Sequence, residues 1–450
     1  MSHFDTARNK RLDDERTAYK MLDKLHALST KDVQLSFFGQ ALTPNSAQLL
    51  TLHAKHDLPL DKSLQFVEAL INADVTCARI DIALALRDGK SAKDLQGTSS
   101  TEAKDVVLYG FGRIGRILAR LLLSRPTSDN GLQLKAIVLR PGKTDDLAKR
   151  ASLLERDSVH GWFAGSVLVD NDNNGLLVNG RFVQVIYASD PSAIDYTKYG
   201  INNALLIDNT GKFKDQEGLS QHLTTGIDKV LLTAPASGDI KNVVFGVNEA
   251  TIGDDTIVSA ASCTTNAITP ILKLLNDEYG VVNGHMETIH AYTNDQNLVD
   301  NHHKADRRGR AASLNMVMTS TGAAKAVGKA LPELAGKLTG NAIRVPTPNV
   351  SLAVLTLNLA KAVTTEALNA FIYEASQSAK WQQQIAYSDS SEAVSTDFVG
   401  SEKVAIFDAK ATLTDGQLVT LYVWYDNEMG YSTQVVRVAE TMAGVQYQTL

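Results

Sequence analysis

Two groupings of residues in this chain could carry chemistry. The first is Ser259-Ala260-Ala261-Ser262-Cys263-Thr264-Thr265-Asn266, which sets Cys263 where a short apolar strand gives way to a helical pattern. A thiol at a helix N-terminus faces unpaired N–H groups and the positive end of the helix dipole, and both favour the thiolate. The hydroxyls of Ser262, Thr264 and Thr265 would be odd around a core residue and useful around an anion. The expected chemistry is nucleophilic attack by Cys263. Cys77 lacks such company and reads as a small buried hydrophobe.

The second grouping is Gly110-Phe111-Gly112-Arg113-Ile114-Gly115. The first glycine allows a tight turn, the second lets the backbone approach a pyrophosphate, and the third permits close helix–strand packing. Spaced glycines are common in turns, so the flanks decide. Here apolar Val106-Val107-Leu108-Tyr109 precedes the turn, and Ile117, Leu118, Leu121 and Leu122 follow at helical spacing. A second strand is expected over 134–139. Strand, glycine turn, helix, strand is the order of a dinucleotide-binding unit, with phosphates held at the helix N-terminus.

The elements that must position these groups divide the chain by texture. Ala18, Met21, Leu22, Leu25 and Leu28 predict a first helix. Thr43-Pro44 reads as the N-cap and first turn of a second, through Leu49, Leu50 and Leu52. A third, longer helical run is expected from Pro59 to about Arg87-Asp88-Gly89, and the polar stretch 96–101 reads as a linker. Further apolar strands are expected at 204–207, 229–232 and 256–259. Beyond Cys263, long strands at 350–359 and 418–425 among helices suit a largely antiparallel sheet.

The expected layout is a helical extension over 1–100, then an α/β Rossmann-type nucleotide domain over 101–262. That domain also takes in a C-terminal helix at about 427–450, and an α+β catalytic domain spans 263–426. Lys+Arg number 44 against Asp+Glu 50, a net charge of -6, with no long basic run, so no nucleic-acid partner is expected. No apolar stretch is long enough for a bilayer, and MSHFDTARNKRLDDER lacks a signal's apolar core. Two cysteines in 450 residues argue against a disulfide scaffold and fit a reducing cytosol. No metal site is expected.

The motif Ser262-Cys263-Thr264-Thr265-Asn266 is similar to the active-site motif of glyceraldehyde-3-phosphate dehydrogenases, and the likeness continues in order. It includes Gly110–Arg116, Asp157-Ser158-Val159-His160-Gly161, Thr210-Gly211-Lys212-Phe213, Ala234-Pro235-Ala236 and Gly246-Val247-Asn248-Glu249. It goes on through His290–Gln296, Asp306-Arg307-Arg308, Ser320–Ala326, Arg344–Val350 and Trp424–Ser432. The resemblance covers residues 105 to 450.

That resemblance implies Cys263 as nucleophile and His290 as the base that activates it. It places Ser262, Thr264, Arg308, Thr321 and Gly322 around inorganic phosphate, and Thr293, Asp295 and Arg344 around the substrate phosphate. It gives Gly110, Phe111, Gly112, Arg113, Ile114, Gly115, Thr210, Gly211 and Tyr431 to the cofactor, NAD or NADP, with Asn427 holding the nicotinamide amide. The implied reaction runs through a hemithioacetal, hydride transfer and a thioester that phosphate cleaves to an acyl phosphate. It also implies a homotetramer, with 293–318 as an intersubunit loop.

Three features depart from the family's pattern. Ala267 stands where a second cysteine is usual. Residues 1–104 are additional. At the end of the second strand, Leu139-Arg140-Pro141 replaces the usual acidic residue, so Arg140 is expected to favour a 2′-phosphate. Two rivals remain: the sister enzyme acting on erythrose 4-phosphate, whose 292–296 and 320–326 segments differ, and a non-catalytic nucleotide- or RNA-binding relative.

Overall fold

The computed structural model describes residues 3–42, 45–96, 103–125, 131–142 and 146–450. Two compact units account for them. One holds 1–104, 125–132 and 444–450; the other holds 105–124 and 133–443.

The first unit begins with helix α1 (His3–Ser29), whose Ala18, Met21, Leu25 and Leu28 are buried at helical spacing. Strands β1 (Val33–Phe37) and β2 (Gln40–Ala41) form a hairpin. Phe38 and Gly39 supply its two positive φ values, 45° and 72°. That pair of left-handed residues matches the twist of a two-residue hairpin turn. Helix α2 (Ser46–Lys55) is capped by Asn45, whose side chain accepts from the Ala47 and Gln48 amides. The expected cap at Thr43-Pro44 lies outside the described residues, and the helix starts after it.

The long helical run expected after Pro59 is broken. Helix α3 (Leu60–Asn72) ends before Asp74, which takes a φ of 53°, and β3 (Ala78–Asp81) follows before α4 (Ile82–Arg87). Ala78, Ile80 and Ile82 satisfy a two-residue period as well as a helical one, and parallel pairing of β3 with β1 selects the strand. Asp81 closes the arrangement: its carboxylate accepts from the Ser36 hydroxyl and the Phe38, Gly39 and Leu84 amides. Of the linker, Gln96 is described, and it bridges to Thr449. The sheet's fourth strand comes from the far end of the chain, where Gln448–Thr449 pairs in parallel with β3. The extension is therefore helical with a small sheet, and that sheet is completed by C-terminal residues.

The second unit holds two eight-stranded sheets. In the first, the order is Ile257–Ser259, Ile227–Leu232, Ala204–Asp208, β4 (Ala103–Tyr109) and β5 (Gly131–Leu139). The strands Arg181–Tyr187, Gly175–Val178 and Val167–Asp170 complete it. Helix α5 (Arg113–Ser124) leaves the glycine turn after β4 and buries Ile117, Leu118, Leu122 and Leu123.

The second sheet runs Val317–Ser320, Leu338–Val345, Val281–Ala291, Ser351–Leu359, Leu418–Tyr425, Ala405–Asp408 and Ile385–Ser388, with Leu413–Asp415 on Leu418–Tyr425. Most of its pairs are antiparallel; Val281–Ala291 with Leu338–Val345 is a parallel exception that matters for the site. The helix Cys263–Tyr279 lays Ile268, Ile271, Leu272 and Leu275 on this sheet's Leu355, Leu357, Leu421 and Val423. The C-terminal helix, Met429–Ala443, stops short of the end expected near 450 because the chain then turns into the first unit's sheet.

Deleting 444–450 removes the strand whose Gln448 amide bonds the Cys77 carbonyl at 2.9 Å, and also the partly buried Leu450. Amide exchange in β3 should then speed up about tenfold or more, the scale of losing roughly 1.4 kcal/mol of protection. Unchanged exchange there, read by mass spectrometry on the full-length and shortened chains, would contradict the role given to this strand.

Candidate active site

The site begins with a strained turn. Strand Ile257–Ser259 ends inside the second unit, and Ala261, fully buried, takes a φ of 55°. A left-handed alanine is held by its surroundings: its amide donates to Ser259 Oγ at 2.9 Å, and its carbonyl accepts from Tyr431 Oη at 3.0 Å. Ser262 then caps the next helix, accepting from the Thr265 amide. Cys263 is its first residue and is half-buried.

His290 lies near the end of strand Val281–Ala291. Its Nε2 stands 3.5 Å from Cys263 Sγ. Its Nδ1 is 2.7 Å from the Ala291 carbonyl, which only accepts, and from Arg344 Nη1, which only donates; the tautomer with its proton toward the carbonyl leaves the Nε2 lone pair facing the thiol. The parallel register pairs His290 with Arg344, and Arg344 Nη1 lies 2.7 Å from His290 Nδ1. Burial, then the guanidinium of Arg344, push the His290 imidazole down to about 3. Burial pushes the Cys263 thiol up, while Arg344 and Thr264 act the other way. Both shifts favour the neutral thiol and the neutral imidazole. An anion that offsets Arg344 would raise the basicity of His290 and make it a better proton acceptor.

Arg344 is suited to such an anion, because its Nε is buried with no hydrogen-bond partner among the described residues. Arg308 is paired instead: Nη1 with Asp295 and Nε with Thr319 Oγ1 at 3.2 Å. This joins two residues expected at different phosphates, Arg308 and Asp295. Thr321 Oγ1 accepts the Ala323 amide, and Gly322 immediately precedes the helix Ala323–Ala330. Thr293 sits in the loop after His290, its carbonyl held by the Gln296 amide. Thr264 is buried and turns its hydroxyl to Tyr425 Oη at 2.9 Å.

The glycine turn fits a dinucleotide. Gly110 takes a φ of +99°, and a Cβ at Gly115 would collide with the Gly110 carbonyl. At Gly112 nothing lies within 4 Å of the Cβ position, leaving room for an approaching phosphate. Phe111 is buried at 4% exposure, and Ile114 lies partly buried in the first turn of α5. Thr210 abuts Gly110 and is fixed by two 2.7 Å bonds to Asp208, followed by Gly211 at a φ of 63°. The Arg113 side chain is not free for a phosphate. It clamps Asp157 and Glu428, so this residue offers its backbone. Arg140 is exposed at the end of β5, and of the insertion after it, 143–145 lie outside the described residues.

Several residues unassigned from sequence hold these groups. Tyr425 is fully buried, and its hydroxyl meets Thr264 and Thr288 Oγ1 at 2.9 and 2.6 Å. Glu428 also meets His160 Nε2 at 3.1 Å. The signal was there in type: ionisable or hydroxyl residues in stretches whose pattern buries them. Tyr431, expected at the cofactor, donates its hydroxyl to the Ala261 carbonyl behind the nucleophile.

Residues 104–216 match the model of the glyceraldehyde 3-phosphate dehydrogenase NAD binding domain, and 262–427 that of the C-terminal domain of the same enzyme. The glyceraldehyde-3-phosphate dehydrogenase of Zymomonas mobilis is 41% identical over 344 residues, 76% of this chain and 99% of that protein. The chain belongs to the glyceraldehyde-3-phosphate dehydrogenase family. A second relative, glyceraldehyde-3-phosphate dehydrogenase 1 of Bacillus subtilis, is likewise 41% identical, over 98% of its length. A glyceraldehyde-3-phosphate dehydrogenase-like protein of Pseudomonas aeruginosa is 61% identical, over 78% of this chain and 76% of that protein. As a family member the chain is an oxidoreductase with an NAD-binding Rossmann domain. No described helix is long and apolar enough to cross a membrane.

Alkylation of Cys263 by iodoacetamide reads the proton shared across the 3.5 Å contact. His290→Asn removes the base that draws off the thiol proton, so alkylation at neutral pH should slow about a hundredfold. An unchanged rate would mean the imidazole takes no part in ionising the thiol.

Proposed function

We propose that this protein oxidises D-glyceraldehyde 3-phosphate to 1,3-bisphosphoglycerate, as a phosphorylating aldehyde dehydrogenase of glycolysis or gluconeogenesis. The supporting observation is the half-buried thiol at a helix N-terminus, 3.5 Å from an imidazole that in turn abuts Arg344. His290 Nε2 takes the Cys263 proton, and the thiolate attacks the aldehyde carbon. The Cys263 amide and the newly protonated Nε2 donate to the oxyanion. The bound nicotinamide supplies the hydride acceptor. A thioester remains on Cys263, and an oxygen of inorganic phosphate attacks its carbonyl, releasing the acyl phosphate and returning the thiolate. Ser262, Thr264, Arg308, Thr321 and Gly322 serve the inorganic phosphate; Thr293, Asp295 and Arg344 serve the phosphate of the substrate.

Gly110–Gly115, Thr210, Gly211, Tyr431 and Asn427 serve the dinucleotide. Arg140 favours NADP: it cannot accept hydrogen bonds from ribose hydroxyls but can pair with a 2′-phosphate. A cytoplasmic homotetramer is the proposed form, supported by the exposed Leu298, Leu314 and Met316, each more than 70% accessible in the 293–318 stretch.

Turnover of glyceraldehyde 3-phosphate should require phosphate or arsenate, and Cys263→Ser should abolish it while sparing cofactor binding. Phosphate-independent oxidation, or a serine variant that keeps more than a small fraction of the rate, would sink this reading. Initial rates with NAD and NADP side by side test Arg140. Wild type should use NADP at least as well as NAD, and Arg140→Asp should shift selectivity toward NAD by about ten- to a hundredfold, the worth of a charge-assisted contact. Selectivity untouched by the substitution would remove Arg140 from the site.

A further inference from the structure

Asn427 is 7% exposed, between strand Leu418–Tyr425 and the C-terminal helix. Its backbone is pinned from both sides. Asp426 accepts the Glu428 and Met429 amides at 2.9 and 2.8 Å and the Gly400 amide at 2.8 Å. Glu428 is held by Arg113 and His160. None of these contacts decides which end of the Asn427 amide faces the cofactor.

Ser351 does. It is 1% exposed, at the start of strand Ser351–Leu359, and its Oγ accepts the Ala291 amide at 3.1 Å. Its Oγ lies 2.9 Å from Asn427 Oδ1. Ser351 also meets the Tyr425 hydroxyl, but that group has Thr264 and Thr288 as partners as well, whereas Asn427 Oδ1 can only accept and so takes the Ser351 proton. An amide whose oxygen is occupied in this way presents its NH2 group.

We propose that Ser351 is a positioning residue that locks Asn427 as a hydrogen-bond donor, so that the site selects the carbonyl oxygen of the nicotinamide carboxamide. The inference rests on the reading of Asn427 as the nicotinamide contact and adds what orients it. Without the Ser351 proton the Asn427 amide can turn over, and the ring loses its preference for one face. Ser351 also sits opposite Tyr425 in the strand register, so the hydroxyls that meet Thr264, next to the nucleophile, adjoin the group that orients the ring.

The test compares NAD with ADP-ribose, which lacks the nicotinamide, by calorimetric titration of the full-length protein. Ser351→Ala should weaken NAD binding about five- to tenfold, the worth of one hydrogen bond, and leave ADP-ribose within about twofold. Hydride transfer to deuterium-labelled cofactor should lose stereochemical purity, and Ser351→Thr, which keeps the hydroxyl, should restore both. Equal weakening of both ligands would mark Ser351 as merely structural and overturn the proposal. Asn427→Ala separates the two layers. If it lowers NAD against ADP-ribose and Ser351→Ala does not, the positioning role is wrong; if Asn427→Ala changes neither ligand, the reading of Asn427 fails and the proposal with it.

Discussion

The parallel pairing of Val281–Ala291 with Leu338–Val345 is the constraint on which the rest of the site hangs. In an otherwise mostly antiparallel sheet, it sets Arg344 directly beside His290. Burial, and then a guanidinium that cannot be neutralised, strip the imidazole of its charge. The cost of desolvating a cation falls on His290, which becomes a neutral acceptor aimed at Cys263. Burial at the helix end also pushes the Cys263 thiol up, although Arg344 pulls the other way. The pair is reactive in prospect. An anion beside Arg344 would offset its charge and make the imidazole more basic.

The nucleotide side of the same unit uses charge differently. Arg113, first residue of the helix after the glycine turn, is bound by two carboxylates, Asp157 and Glu428. Against burial, the His160 amide and then Arg113 hold Asp157 well below the usual carboxylate range, and Glu428 and then Asp157 push Arg113 up. A half-buried ion cluster of this kind is expensive to assemble and strongly destabilising to break on one side only. Its worth lies in registry: it ties the glycine turn, the 157–160 loop and the loop carrying Asn427 into one arrangement. Glycine geometry at 110, 112 and 115 then supplies the space, and the ion cluster holds it in register with the loop carrying Asn427.

The added first unit follows another logic. Its core, with Met21, Phe37, Leu49, Val67, Leu70 and Ile80 buried, is built from residues near in sequence. Its sheet is not, since the fourth strand arrives from residues 448–449. Besides 1–104, this unit takes in 125–132 and 444–450. Relatives from Zymomonas mobilis and Bacillus subtilis are covered almost entirely by a match to three quarters of this chain.

The local chemistry was legible in the sequence because it is encoded by neighbours. The strand, glycine turn and helix around 106–124, the serine-capped helix at Cys263 and the long strands at 351–359 and 418–425 each follow from short-range pattern. The first unit's strands were not legible. Residues 78–82 fit two periodicities, and only pairing with β1 and with a strand 370 residues away chose between them. The same holds at the site. That His290 belongs near Cys263 came from resemblance to a family, but its neutral state depends on a register partner 54 residues on. The roles of Tyr425, Ser351 and Glu428 depend on strands and loops brought together from positions 113 to 428. Residue type and spacing determine what a side chain can do; the sheet's register determines which charge or proton it meets.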